Sequence, residues 1–92
     1  IHFAIAQNYV KLNKSDLALE ELRSAITLDS SLTIAYKLLG ELYTQQFRVD
    51  EAITVYQYLE NREPEAIHRY MLARLYELRD VDKAITLYEE LL

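Results

Sequence analysis

The sequence contains no cysteine, no tryptophan, one glycine (Gly40) and one proline (Pro64). Without cysteine there are no disulfides and no thiolate metal sites. A Cys-free chain suits oxidising and reducing compartments alike, which leaves the compartment open, with a cytoplasmic location as the expectation. Phosphate-cradling loops need several glycines and are excluded by having one. So few breaking residues leave little room for β-turns and favour long helices with short connections. No apolar run approaches the roughly 20 residues of a membrane-spanning helix, so no membrane insertion is expected. The ten Lys and Arg are scattered among fifteen Asp and Glu, for a net charge of −5. Nucleic-acid surfaces draw on clustered basic residues, so a nucleic-acid partner is disfavoured.

What is present is hydrophobic side chain, 51% of the residues against 27% charged, the balance of a globular chain rather than a disordered one. At 92 residues the chain is one small domain or a piece of a larger one. Its organisation is repetitive. VDEAITVY at 49–56 returns as VDKAITLY at 81–88, with six of eight letters identical. Ala18, Ala52 and Ala84 form one ladder, spaced 34 and 32 residues apart, and each follows an aspartate (Asp16, Asp50, Asp82) by two positions. Tyr9, Tyr43 and Tyr76 form a second ladder, spaced 34 and 33. Three residues before each tyrosine stands a small residue, Ala6, Gly40 or Ala73, preceded by Ile5, Leu39 or Leu72. Parallel recurrence at several independent positions marks a repeat architecture.

Each unit carries two apolar stretches at helical spacing. Leu39, Tyr43 and Phe47 share one face at steps of four, and Ala52, Tyr56 and Leu59 share another. The spacing predicts six helices, near 1–13, 16–29, 33–46, 50–61, 65–78 and 82–92. Asp16 (with Ser15), Asp50 and Asp82 are expected to cap the second helix of each unit, a carboxylate accepting an orphan backbone N–H. Pro64 suits the first turn of the fifth helix. Glycine inside a helix costs about 1 kcal/mol against alanine, so Gly40 is expected to mark a close approach of another backbone. Glu51 and Lys83 occupy a slot that should face solvent.

The chain resembles the tetratricopeptide repeat family. Its pattern of W-x2-L-G-x2-Y, then A-x3-F, then P is matched by Tyr36, Leu39, Gly40, Tyr43, Ala52, Tyr56 and Pro64 in the middle unit. The first unit offers His2, Ile5, Ala6, Tyr9, Ala18 and Leu22, with Ser30 in the proline position. The third offers Arg69, Leu72, Ala73, Tyr76, Ala84 and Tyr88. The resemblance implies an all-α fold, a right-handed superhelix of three antiparallel helix–turn–helix repeats. They would span about 1–32, 33–65 and 66–92, cut from a longer array. His2 and Arg69 replace the large aromatic, which predicts weaker anchoring there. The third unit is one residue short before its first helix and another inside its turn, which predicts irregularity near 61–66 and 79–81.

The resemblance also implies a function: a non-catalytic interaction module, scaffold or adaptor, holding a protein or peptide ligand in a concave groove lined by the first helix of each pair. Carried over position by position, the groove comprises Phe3, Gln7 and Lys11, then Ile34, Lys37 and Glu41, then Ile67, Tyr70, Arg74 and Glu77. Val10, Thr44, Gln45 and Leu78 lie on the same helix faces. Apolar anchors beside Lys11, Lys37 and Arg74 fit a peptide or amphipathic helix with a few acids. The two-carboxylate clamp for acidic chaperone C-terminal tails is absent: Phe3, Gln7, Leu38, Ile67 and Met71 stand at its positions. The alternatives are an RNA-binding helical repeat of pentatricopeptide type, which Glu41 and Glu77 oppose, and a self-associating segment joined through exposed apolar ends such as Leu91 and Leu92.

No cofactor or metal site is expected. Glu65-x-x-His68 occurs once, whereas di-iron sites in helix bundles pair two such motifs, so His68 is read as part of a solvent-facing helix start. Glu20–Glu21 and Glu89–Glu90 are read as solvated faces, because adjacent helix residues point about 100° apart.

Overall fold

A computed structural model describes residues 1–29 and 33–92. Ser30, the counterpart of Pro64 in the first unit, lies outside the described residues. The helices are α1 (His2–Lys11), α2 (Ser15–Leu28), α3 (Thr33–Gln45), α4 (Val49–Arg62), α5 (Ala66–Tyr76) and α6 (Val81–Glu90), and the described residues contain no strand. Contacts run α1 with α2, α3 with α4 and α5 with α6. α2 then leans on α3, and α4 on α5. The result is an α-solenoid of three helix–turn–helix repeats, 39 × 24 × 17 Å along its principal axes. The helices match the predicted segments and differ at the ends, where turns take residues that spacing alone assigns to helix.

The ladders are packing positions. Ala6, Ala18, Ala52, Ala73 and Ala84 are buried at the crossings within each pair. Leu22, Leu42 and Leu59 are fully buried alongside them, each worth roughly 2 kcal/mol of apolar burial. At Gly40 the close neighbour is a side chain rather than a backbone. A Cβ there would meet Tyr56 Cε2 and Cζ at 3.0 Å and its hydroxyl at 3.3 Å. The tyrosine ladder joins successive repeats. Arg23 Nη2 in α2 donates to the Tyr43 hydroxyl in α3 at 3.0 Å, and Gln57 Nε2 in α4 donates to the Tyr76 hydroxyl in α5 at 2.7 Å. Arg23 and Gln57 are 34 residues apart, so one strut is built twice.

The turns within the repeats explain the shortened third unit. After α1, Asn13 takes φ 58° and Lys14 N–H donates back to Tyr9 C=O at 2.8 Å. After α3, Phe47 takes φ 58° and Arg48 N–H donates to Tyr43 C=O at 2.9 Å. In the third turn Asp80 N–H closes on Tyr76 C=O at 2.6 Å, one residue sooner, and no left-handed residue occurs. The missing residue is therefore the left-handed one. This overturns the placing of Phe47 on the helix face of Leu39 and Tyr43. It lies beyond the end of α3 and is 80% exposed.

Capping also differs from expectation. Asp16, Asp50 and Asp82 lie in the first turns of α2, α4 and α6, one position past the first helical residue, and none is an N-cap. There they oppose the positive end of the helix dipole. Among α1, α2, α4, α5 and α6, the one side-chain N-cap bond belongs to Asp80, whose Oδ1 accepts from Lys83 N–H at 3.3 Å. Pro64 sits before the N-cap Glu65, outside α5, where its missing N–H again costs no helical bond. Glu51 and Lys83 are both exposed, as their exchange implies.

His2 and Arg69 are anchored, by polar contacts instead of apolar ones. His2 Nδ1 meets Glu21 Oε2 at 2.5 Å, so Glu21 is not merely solvated. Tyr36 stacks on Tyr58 with ring centroids 4.4 Å apart. Arg69 Nη1 donates to Glu60 Oε1 at 2.6 Å. His2 and Tyr36 each hold the following helix, whereas Arg69 holds the preceding one.

Candidate functional site: a row of clefts along α1, α3 and α5

A cleft of about 400 Å³ lies between α1 and α3, lined by Phe3, Gln7, Val10, Lys11, Ile34, Lys37, Leu38 and Glu41. Residues from two helices meet there because their first-helix faces share a register, Phe3 and Lys37 standing 34 apart. Ile34 is more than half exposed at its edge, and apolar surface of that kind gains by being covered. Lys11 and Lys37 bring positive charge to the rim of an acidic protein.

Lys37 and Glu41 also line a second, smaller cleft of about 190 Å³ between α3 and α5, with Tyr56, Ile67, His68 and Met71. Lys37 Nζ lies 3.9 Å from Glu65 Oε2 across this gap. The floor is Tyr56, whose phenol is pushed up to about 12 by burial, with the Glu41 charge adding and a hydrogen bond with Thr44 opposing. His68 forms the wall and is buried, contrary to a solvent-facing helix start. Its Nδ1 is 3.0 Å from Glu63 C=O, so this nitrogen carries the proton that is donated. Nε2 has no hydrogen-bond partner among the described residues. Glu60 and Glu65 each place a carboxylate oxygen 3.7 Å from the ring.

A third cleft of about 200 Å³, between the C-terminal ends of α3 and α5, is lined by Thr44, Phe47, Val49, Met71, Arg74, Leu75, Glu77 and Leu78.

Of the residues expected in the groove, Phe3, Gln7, Lys11, Ile34, Lys37 and Glu41 thus share one cleft, Ile67 joins through Lys37 and Glu41, and Arg74 and Glu77 belong to the third cleft. Tyr70 lines none of the three. It is 40% exposed, its ring lies 6.1 Å from that of Tyr88, and the Arg74 guanidinium sits over it at 5.9 Å. The Tyr88 hydroxyl donates to Glu77 Oε1 at 2.8 Å, and this bond pushes Tyr88 up from its ordinary value. Sequence spacing missed Tyr56 and His68 as lining residues. Tyr56 both packs in the core and floors the second cleft.

The tetratricopeptide repeat family model matches residues 3–67 and again 48–92. Two solved structures, both titled as crystal structures of MamA, superpose with TM-scores of 0.86 at 21% sequence identity, each covering 96% of the present chain. The chain spans 49% of one and 53% of the other, about half their length. No curated protein matches. No helix among the described residues is long and apolar enough to cross a membrane.

Proposed function

The chain belongs to the tetratricopeptide repeat family, and from that premise we propose that it is a non-catalytic scaffold that holds a peptide or helical segment of a partner protein along α1, α3 and α5. The family fold is associated with protein–protein interaction, and the clefts supply the local support. The carrying observation is the cleft between α1 and α3, where Phe3 and Ile34 offer apolar surface and Lys11 and Lys37 stand at its rim. The second cleft continues it through the shared Lys37 and Glu41. A ligand with two apolar anchors and acidic residues between them fits this sequence of surfaces.

The chaperone-tail reading stays disfavoured. Leu38 and Met71, at two of the clamp positions, are half-buried apolar residues with no charge to offer a carboxylate. No observation favours RNA.

The test is selection of binding peptides from a random displayed library, followed by affinity measurement against Ile34→Asp combined with Lys37→Glu. Peptides with apolar anchors and acids are expected, losing at least about tenfold in affinity to the double variant. Selected peptides that bind the variant as well as the parent would place recognition elsewhere.

A further inference from the structure

Phe47 combines two unfavourable features. Its backbone is left-handed at φ 58°, a region that bulky L-residues avoid. Its ring is four-fifths exposed, so burial gives nothing in return. The turn itself needs only a left-handed residue. Its counterpart in the first repeat is Asn13, also at φ 58° and of a type that adopts it readily. Nothing in the fold of the turn requires an aromatic ring, and strain that the fold does not need points to a use outside it.

That ring stands on the rim of the third cleft, whose apolar walls are Val49, Met71, Leu75 and Leu78. At about 200 Å³ the cleft has room for one benzyl group, since a cavity of roughly 150 Å³ already holds benzene. Phe47, exposed as it is, leaves that room to another occupant. Leu78 and Val81, each 59% exposed, extend apolar surface around the turns. A knob beside a hole on one face is self-complementary under a two-fold axis, where each copy gives what the other takes. The charges agree. Arg74 and Glu77 line the same cleft, and Arg74 makes no ion pair among the described residues. Opposite charges on one face are what a two-fold pairing needs to set Arg74 of one copy against Glu77 of the other.

We propose that the turn edge around Phe47 is a self-recognition surface, at which two copies of this chain pair with each Phe47 seated in the other's cleft. The contact is small beside the roughly 1,600 Å² of a standard interface, so the pair is weak and transient. Phe47 itself lies outside the groove residues, but its receiving cleft is the third of the row and shares Thr44, Arg74, Glu77 and Leu78 with the groove faces. Pairing is therefore read without any peptide present, and its failure leaves the peptide-binding reading standing.

The experiment is sedimentation equilibrium of the 92-residue chain over a rising concentration series, with thermal melts of each variant. The parent is expected to dimerise reversibly. Phe47→Asn is expected to raise the dimer dissociation constant by about tenfold or more while melting at the same temperature or higher. Arg74→Glu and Glu77→Arg alone are expected to weaken the pair, and the two together to restore it. A parent that stays monomeric throughout overturns the proposal. So does a Phe47→Asn chain that dimerises like the parent, or one that is destabilised, which would make the ring a packing residue.

Discussion

Arg69 in α5 reaches back to Glu60 in α4 at 2.6 Å, and the same carboxylate accepts Glu65 N–H at 3.1 Å. One side chain of α4 thereby holds both the connector and the first turn of the next repeat. This junction is one residue shorter than that between the first two repeats, and the Glu60 side chain is only 19% exposed. Glu60→Ala removes both bonds and is expected to cost about 1–2 kcal/mol. Chemical denaturation checks this. Combined with Arg69→Met, the loss should be less than the sum of the single losses, because the two residues share one interaction.

Gly40→Ala is expected to destabilise the chain despite the better helix propensity of alanine. The propensity gain is about 1 kcal/mol, but the new methyl meets the buried Tyr56 ring at 3.0 Å, and overpacking a filled site costs roughly 1–3 kcal/mol. A net loss near 1 kcal/mol follows. In a Tyr56→Leu background the ring is gone, and the same substitution should become neutral or stabilising. A thermal-melt cycle over the four variants decides it.

Asp80 and Asp82 should differ sharply. Asp80 caps α6 through Lys83 N–H, so Asp80→Ala is expected to cost about 1 kcal/mol. Asp82 lies in the first turn without a capping bond, and Asp82→Ala should cost roughly 0.3–0.5 kcal/mol at low salt, less at high salt. Equal losses would show that the aspartate ladder caps after all.

Alkaline unfolding should carry the signature of Tyr56. Its phenol titrates near 12 in the fold against an ordinary 10.0. The folded chain therefore holds the proton more tightly than the unfolded chain. The stability this provides is full below pH 10 and is lost as pH rises from 10 towards 12, on the order of 2 kcal/mol in all. Tyr56→Phe should flatten the stability curve across that window. Tyrosinate absorbance should show one late-ionising residue fewer in the variant than in the parent.

Much of this molecule was legible in the letters because repeat positions are packing positions. Ala18, Ala52 and Ala84 recur because each is buried in the core, and Tyr43 and Tyr76 recur where a side chain of the preceding repeat bonds to their hydroxyls. What escaped depends on torsion angle and tertiary surroundings. Phe47 continues a four-residue spacing past the point where the helix has ended, and spacing carries no φ. His68 looks like a solvent-facing residue at a helix start until α3, α4 and the connector close around it. Asp50 was placed one position from where the helix begins, and its carboxylate accepts Arg79 Nε across the repeats at 3.0 Å. Phe3, Gln7, Lys11, Ile34, Lys37 and Glu41, carried over from the family resemblance, line one cleft. Tyr70 does not, because the ring that holds it belongs to α6.

The strut onto the tyrosine ladder has a mechanical meaning. An arginine makes it between the first two repeats and a glutamine between the second and third. The two donors differ in reach, yet each ends on the equivalent tyrosine hydroxyl of the next repeat, Tyr43 or Tyr76. The slot at 23 and 57 thus carries a donor of different reach at each junction, and donor length there is expected to bear on the tilt of one repeat upon the next. Exchanging the donors, with no change to any residue of the three groove clefts, is expected to alter the curvature along which a ligand is laid.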